Sequence, residues 1–122
     1  MSRTQANRIS FVLLTMALVI AGGKPARAKS EQPPLTDPAW IEAGRQRFDQ
    51  ACTYCHGKEG AGGKVKSFKG RTDLDPRMVF ETIANGRKRG ANIMPPWKSS
   101  LSETQIWELT AYILSLGNAP AQ

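Results

Sequence analysis

Cys52-Thr53-Tyr54-Cys55-His56 is the stretch that decides how this chain is read. Two cysteines three apart, followed at once by a histidine, form the attachment pattern for a c-type haem. The spacing has a chemical reason. Two thiols on one turn can form thioethers with the two vinyl groups of a haem. The next residue then lies under the iron and offers an imidazole nitrogen as proximal ligand. Cys52, Cys55 and His56 are therefore the candidate cofactor-binding residues, and His56 is the candidate proximal metal ligand.

Two other uses of Cys-x-x-Cys have to be weighed. A redox dithiol usually sits beside a βαβ pattern, and no such pattern is visible. A closed structural zinc site needs four ligands. The chain has two cysteines and one histidine, so a carboxylate would have to complete such a site.

The region before the motif reads as an export signal. Arg3 and Arg8 precede an apolar run of 14 residues, Ile9 to Gly22, too short to cross a bilayer comfortably. Ala26-Arg27-Ala28 follows as an A-x-A cleavage site. Cleavage after Ala28 takes 28 of the 122 residues and leaves 94, one domain. The competing reading keeps the apolar run as a membrane anchor. Removing the signal also removes Arg3, Arg8, Lys24 and Arg27, four of the 17 basic residues. Thirteen then stand against ten acidic ones, a charge of +3. That mild excess, without a recognition motif, does not point to nucleic acid. A domain this small buries a limited core and gains from a large apolar cofactor at its centre.

The mature chain reads as all-α. Residues 29–36 contain Pro33-Pro34 without periodicity and read as a flexible leader; the functional domain is then 37–122. Asp37 caps a first helix with Pro38 at its first position, and Ile41, Gly44, Phe48 and Ala51 recur on one face. A glycine in mid-helix costs about 1 kcal/mol against alanine, which makes sense where a second helix crosses closely. Residues 57–74 are rich in glycine and lysine and read as a loop, in which Val65 and Phe68 are candidates to fold against the haem. The loop lysines are a candidate docking face, against the default of a solvated loop. A second helix starts at Asp75-Pro76, buries Val79, Phe80 and Ile83, and ends at Gly86. Arg87-Lys88-Arg89 then suits the negative end of that helix and could equally attract an acidic partner. The last helix opens with a Ser102/Gln105 capping box and a Leu101/Ile106 staple. It carries Ile106, Leu109, Ile113 and Leu116 on one side and closes at Gly117. No stretch reads as a β-sheet. The expectation is three main helices and long loops around one covalently attached haem, which orders loops that would otherwise be too long.

With one histidine, the second axial ligand has to be another residue type. Met1 and Met16 leave with the signal. Met78 lies in the first turn of the second helix and suits packing. Met94 stands in Asn92-Ile-Met-Pro-Pro-Trp97, where two prolines stiffen the chain directly after the sulfur. Met94 is the candidate distal ligand. Met/His ligation raises the reduction potential and closes both axial positions, leaving outer-sphere transfer of one electron.

Taken together, these residues resemble a small class I cytochrome c of bacterial, monohaem type. The resemblance covers about Trp40 to Leu116. It rests on Cys52-Thr-Tyr-Cys55-His56, on Met94-Pro-Pro 38 residues after the histidine, and on a final helix containing Tyr112. It implies a cytochrome c fold in which the first and last helices cross, with Gly44 and Phe48 against Tyr112. It also implies haem attachment outside the cytoplasm, hence a periplasmic location. One departure stands out. Many members carry a proline in the loop after the motif, whose carbonyl accepts a hydrogen bond from the proximal histidine. Here Gly57 to Asp75 holds none, and Val65 or Lys66 falls near that place.

The functional expectation is a monomeric periplasmic electron carrier, not an enzyme. It would take single electrons from a dehydrogenase or reductase and pass them to an oxidase or reductase, meeting acidic docking patches on its partners. The alternatives are a dedicated haem subunit of an oxidoreductase complex and a ligand-binding haem enzyme or sensor. The last needs an open sixth position, and it lacks a free histidine for acid–base work.

Overall fold

The computed structural model describes residues 33–119. The export signal, its cleavage site and residues 29–32 of the leader lie outside them. Residues 33–36 form a turn in which Leu35 N–H donates to the Pro33 carbonyl and Asp37 N–H to the Pro34 carbonyl.

Four helices and one small hairpin follow. Helix α1 spans Pro38–Ala51, α2 Thr53–His56, α3 Pro76–Asn85 and α4 Glu103–Ser115. Strands β1 (Arg87–Arg89) and β2 (Asn92–Met94) lie between α3 and α4. The helix starts are those the caps announce. Asp37 accepts from Ala39 N–H, Asp75 from Met78 N–H, and Ser102 and Gln105 form both halves of the capping box. Each satisfies a backbone donor that the helix leaves unpaired.

The core forms where α1 and α3 pack on α4. Phe48, Phe80, Ile83, Ile106, Leu109, Tyr112, Ile113 and Leu116 make one buried cluster. At the α1–α4 crossing Gly44 lies directly on α4. A Cβ built there would stand 2.0 Å from the Glu108 carbonyl oxygen and 2.8 Å from Tyr112 Cβ. Beside it the Phe48 and Tyr112 rings meet edge to face at 5.2 Å, a favoured aromatic geometry. Arg47 Nε donates to Glu108 at 2.9 Å across the same crossing. The Gly44–Phe48–Tyr112 contact expected from the resemblance is present. Ala51 is exposed and does not continue that face.

Three further expectations are corrected. Arg87-Lys88-Arg89 is a β-strand, and a short antiparallel sheet exists, with Arg87 opposite Met94, Lys88 opposite Ile93 and Arg89 opposite Asn92. Strands of three residues are too short to show alternation. The signal lies in the turn, where Gly90 takes φ 58° and Ala91 does not follow it to positive φ, as in a type II′ hairpin. Next, α4 ends at Ser115, and Gly117 falls in a 3₁₀ turn over Leu116–Asn118. Gly117 is not a left-handed cap; a Cβ on it would lie 2.4 Å from the Arg71 carbonyl oxygen, so its smallness serves packing. Lastly, residues 57–74 are not all loop, since Lys58–Gly60 form a 3₁₀ turn.

Candidate haem site

The motif sits on a bend. Helix α1 ends at Ala51, Cys52 caps it with its N–H donating to the Phe48 carbonyl, and α2 carries Thr53 to His56 onward as one further turn. His56 N–H donates to the Cys52 carbonyl at 3.0 Å. This turn gathers Cys52, Cys55 and His56 within one short segment. Gly57 ends it at φ 75°, a conformation that favours glycine. A Cβ on Gly57 would stand 2.0 Å from the Gly62 carbonyl oxygen, so the loop can fold back on the motif only because residue 57 has none. Gly62 N–H then donates to the His56 carbonyl at 2.8 Å, and Val65 N–H to the Cys55 carbonyl at 3.4 Å.

Both cysteines are half-buried and neither is in a disulfide. Burial, with Cys55 beside it, pushes the Cys52 thiol up to about 11. Reactive dithiols work in the opposite direction, with a lowered thiol pKa. A buried neutral sulfur at Cys52 suits a thioether, which carries no charge. Among the described residues no cluster of three or more His, Cys, Asp or Glu stands close enough to hold a metal ion.

His56 is held by rings. Its imidazole stacks on Phe68 at 4.8 Å and 20°, with Phe48 tilted against it at 6.0 Å. Burial holds its pKa below the usual histidine value, which keeps the ring neutral, the form that binds metals. Among the described residues, His56 Nδ1 is the buried side-chain nitrogen or oxygen without a hydrogen-bond partner. The carbonyl of Val65, one of the two residues nearest the missing proline, is taken by Gly63 N–H at 3.0 Å. The Phe68 and Phe48 rings are the contacts that hold this imidazole. The sequence pointed to Phe68 as an apolar loop residue without showing which ring it meets. Phe68→Ala is expected to loosen His56 and to lower stability by about 2–4 kcal/mol, read by denaturant unfolding; a loss below about 1 kcal/mol would contradict this role.

Met94 lies on a different element, at the end of β2. It is half-buried and packs against the same core cluster as Cys52. The chain is tied down on both sides of it. Before it, β2 pairs with β1; after it, Trp97 N–H donates to the Ile83 carbonyl at 3.0 Å and Lys98 N–H to the Ala84 carbonyl at 3.2 Å. Met78, the weaker candidate, is well exposed on α3.

The residues fit a covalently held haem. Two unpaired sulfurs lie one turn apart, a neutral imidazole follows them, and a thioether is held on a pinned loop. Residues 39–113 match the family model described as cytochrome c oxidase, cbb3-type, subunit III. The chain belongs to that family. Its cofactor is covalently attached haem c, and its fold is that of class I cytochrome c. The chain is 32% identical over 120 residues to the cbb3-type cytochrome c oxidase subunit FixP of Azorhizobium caulinodans, covering 93% of this chain and 40% of that one. FixP of Sinorhizobium medicae is 34% identical over 95 residues, covering 67% and 32%. The chain thus spans well under half the length of these relatives. Cytochrome cL of Methylophaga aminisulfidivorans superposes with a TM-score of 0.54 at 28% identity, covering 66% of this chain and 55% of that one. The family's shared chemistry is electron transfer by c-type cytochromes. Among the described residues no helix is long and apolar enough to cross a membrane.

Proposed function

We propose that the chain carries single electrons in the periplasm, from a dehydrogenase or reductase to an oxidase or another reductase. Cys52 and Cys55 hold the haem through thioethers, His56 is the proximal ligand and Met94 the distal one. The observation that carries this reading is that Cys52 and Met94 pack against one buried cluster, with His56 beside its Phe48 ring. Bound haem supplies iron that cycles between two oxidation states. The chain's own residues do the rest. Phe68 and Phe48 limit rotation of the His56 ring. The β1–β2 pairing and the two hydrogen bonds to α3 fix the backbone on both sides of Met94, so little backbone entropy would be lost when its side chain binds. With haem bound, Met94 as its ligand would leave oxygen, peroxide and carbon monoxide no open place at the iron. The relatives FixP are oxidase subunits by name, which supports an oxidase as acceptor.

Met94→Ala tests the reading. The variant is expected to keep covalent haem, lose the weak red charge-transfer band of sulfur–iron bonding, bind carbon monoxide when reduced and show a lower reduction potential. Rapid carbon monoxide or cyanide binding by the unmutated protein would remove Met94 from the assignment.

A further inference from the structure

The end of α3 is closed by a segment further along the chain. A helix leaves its last carbonyls without partners. Here the Thr82 carbonyl accepts from Gly86 N–H at 2.9 Å, the Ile83 carbonyl from Trp97 N–H at 3.0 Å and the Ala84 carbonyl from Lys98 N–H at 3.2 Å. Ile83 and Ala84 are buried, where a carbonyl without a bond is costly. Pro95 and Pro96 carry no N–H, so Trp97 and Lys98 are the first backbone donors after Met94. The bonds that close α3 therefore also anchor the methionine segment.

Gly86 is where the two meet. It follows the last residue of α3 and precedes β1, whose Arg87 is opposite Met94. Continuing that antiparallel register by one step puts Gly86 opposite Pro95. The approach is close. A Cβ on Gly86 would stand 2.6 Å from the Met94 carbonyl oxygen, 2.8 Å from the Pro96 nitrogen and 3.0 Å from the Pro95 carbonyl carbon. All three are main-chain atoms, and the two proline rings stiffen the chain that carries them. Gly86 also takes φ 74° and ψ 177°, a region essentially closed to residues with a side chain. Gly90, in the turn of the same hairpin, makes the contrast. Its φ is 58°, and a Cβ on it would meet nothing within 4 Å.

We propose that Gly86 is a positioning residue for Met94: the bare backbone at the end of α3 is the seat on which Met94-Pro95-Pro96 lies, and it sets where the sulfur can stand. The proposal rests on the reading of Met94 as distal ligand. A helix cap alone does not require this geometry. A left-handed cap has ψ of about +47°, whereas Gly86 at ψ 177° sends the chain directly into β1. A side chain at position 86 would push the Met94–Pro96 backbone off α3 and carry the sulfur with it. Cys52, Cys55 and His56 lie on other elements and would keep their places.

The test uses the haem-loaded protein and takes three readings. They are the red sulfur–iron band of the oxidised form, the rate of carbon monoxide binding to the reduced form, and hydrogen exchange of the Trp97 and Lys98 amides by nuclear magnetic resonance. Gly86→Ala is expected to diminish the band and to speed both carbon monoxide binding and exchange of the two amides about tenfold or more. Gly90→Ala places a side chain at positive φ without a contact and is expected to change each rate about twofold or less. Gly44→Ala loosens the α1–α4 crossing and is expected to leave the band in place, which separates positioning from a general loss of stability. An unchanged band and carbon monoxide rate in Gly86→Ala would overturn the proposal, as would equal effects from Gly86→Ala and Gly90→Ala. If Gly86→Ala fails to load haem, Lys98→Pro carries the comparison. It removes the donor to the Ala84 carbonyl at a turn position that suits proline, the Trp97 carbonyl accepting from the Ser100 and Leu101 N–H groups. It is expected to speed carbon monoxide binding about threefold or more, and no change would overturn the seat. The amide reading is separate from the ligand assignment. Met94→Ala is expected to lose the band and keep both amides protected. An unmutated protein without the band would sink Met94 as ligand, while fast amide exchange in Gly86→Ala would still show that Gly86 seats the segment.

Discussion

Cys52→Ala with Cys55→Ala is expected to give a colourless chain that does not fold. The reason is the size and position of the core. The buried cluster is drawn from α1, α3 and α4, while residues 57–75 add Phe68 and Leu74 only as half-buried contacts. A domain of this length buries too little apolar surface to offset its own chain entropy by a wide margin. Haem would supply the missing apolar surface, and Cys52 already packs against the cluster it would join. Without the two sulfurs the cofactor is lost on denaturation and is held, at best, by axial ligands alone. Haem staining after a denaturing gel should be absent, and the helical signal in far-ultraviolet circular dichroism should collapse. A haem-free product with a cooperative thermal transition would show that the protein part is a sufficient scaffold.

The second large effect is expected at Gly44. By helix propensity alone, Gly44→Ala should stabilise α1 by about 1 kcal/mol. The crossing reverses the sign. The new Cβ would lie 2.0 Å from the Glu108 carbonyl oxygen and 2.6 Å from its carbon. Both are main-chain atoms of α4, so no side chain can turn aside to make room. The helices would have to separate, at the expense of the Phe48–Tyr112 ring contact and the Arg47–Glu108 bond at 2.9 Å. Overpacking commonly costs about 1–3 kcal/mol, and a clash against backbone belongs at or above the upper end. In a domain of this size that lowers Tm by about 10 °C or more. Gly44→Val should be worse than Gly44→Ala. A thermal melt of the haem-loaded protein decides it: an unchanged or higher Tm for the alanine variant would mean that the two helices do not touch at this glycine.

The difference between the two readings of residues 86–98 shows where sequence reasoning stopped. Met94 was visible as a candidate because two prolines follow it. What holds it was not visible. A pair of three-residue strands has no periodicity to detect, and the Trp97 and Lys98 hydrogen bonds join α3 to a segment more than ten residues further along. Proline stiffness was the local part of the clamp; strand pairing and the α3 carbonyls are the non-local part. His56 shows the same limit. The missing proline was evident, but that a phenylalanine ring would lie flat on the imidazole, with Nδ1 unpaired, depends on how residues 57–68 fold back.

Local geometry was legible in the order of residues alone. The Cys-x-x-Cys-His spacing, the three helix starts at Asp37, Asp75 and Ser102, and the glycine reserved in α1 all act within a turn or two of chain, where side-chain type and backbone hydrogen bonding decide the outcome. Tertiary structure decided which surfaces meet: Gly44 on the Glu108 carbonyl, Phe68 on His56, and β1 beside Met94 with its charges turned outward. Those contacts depend on distances between residues far apart in the chain, and no local preference encodes such distances.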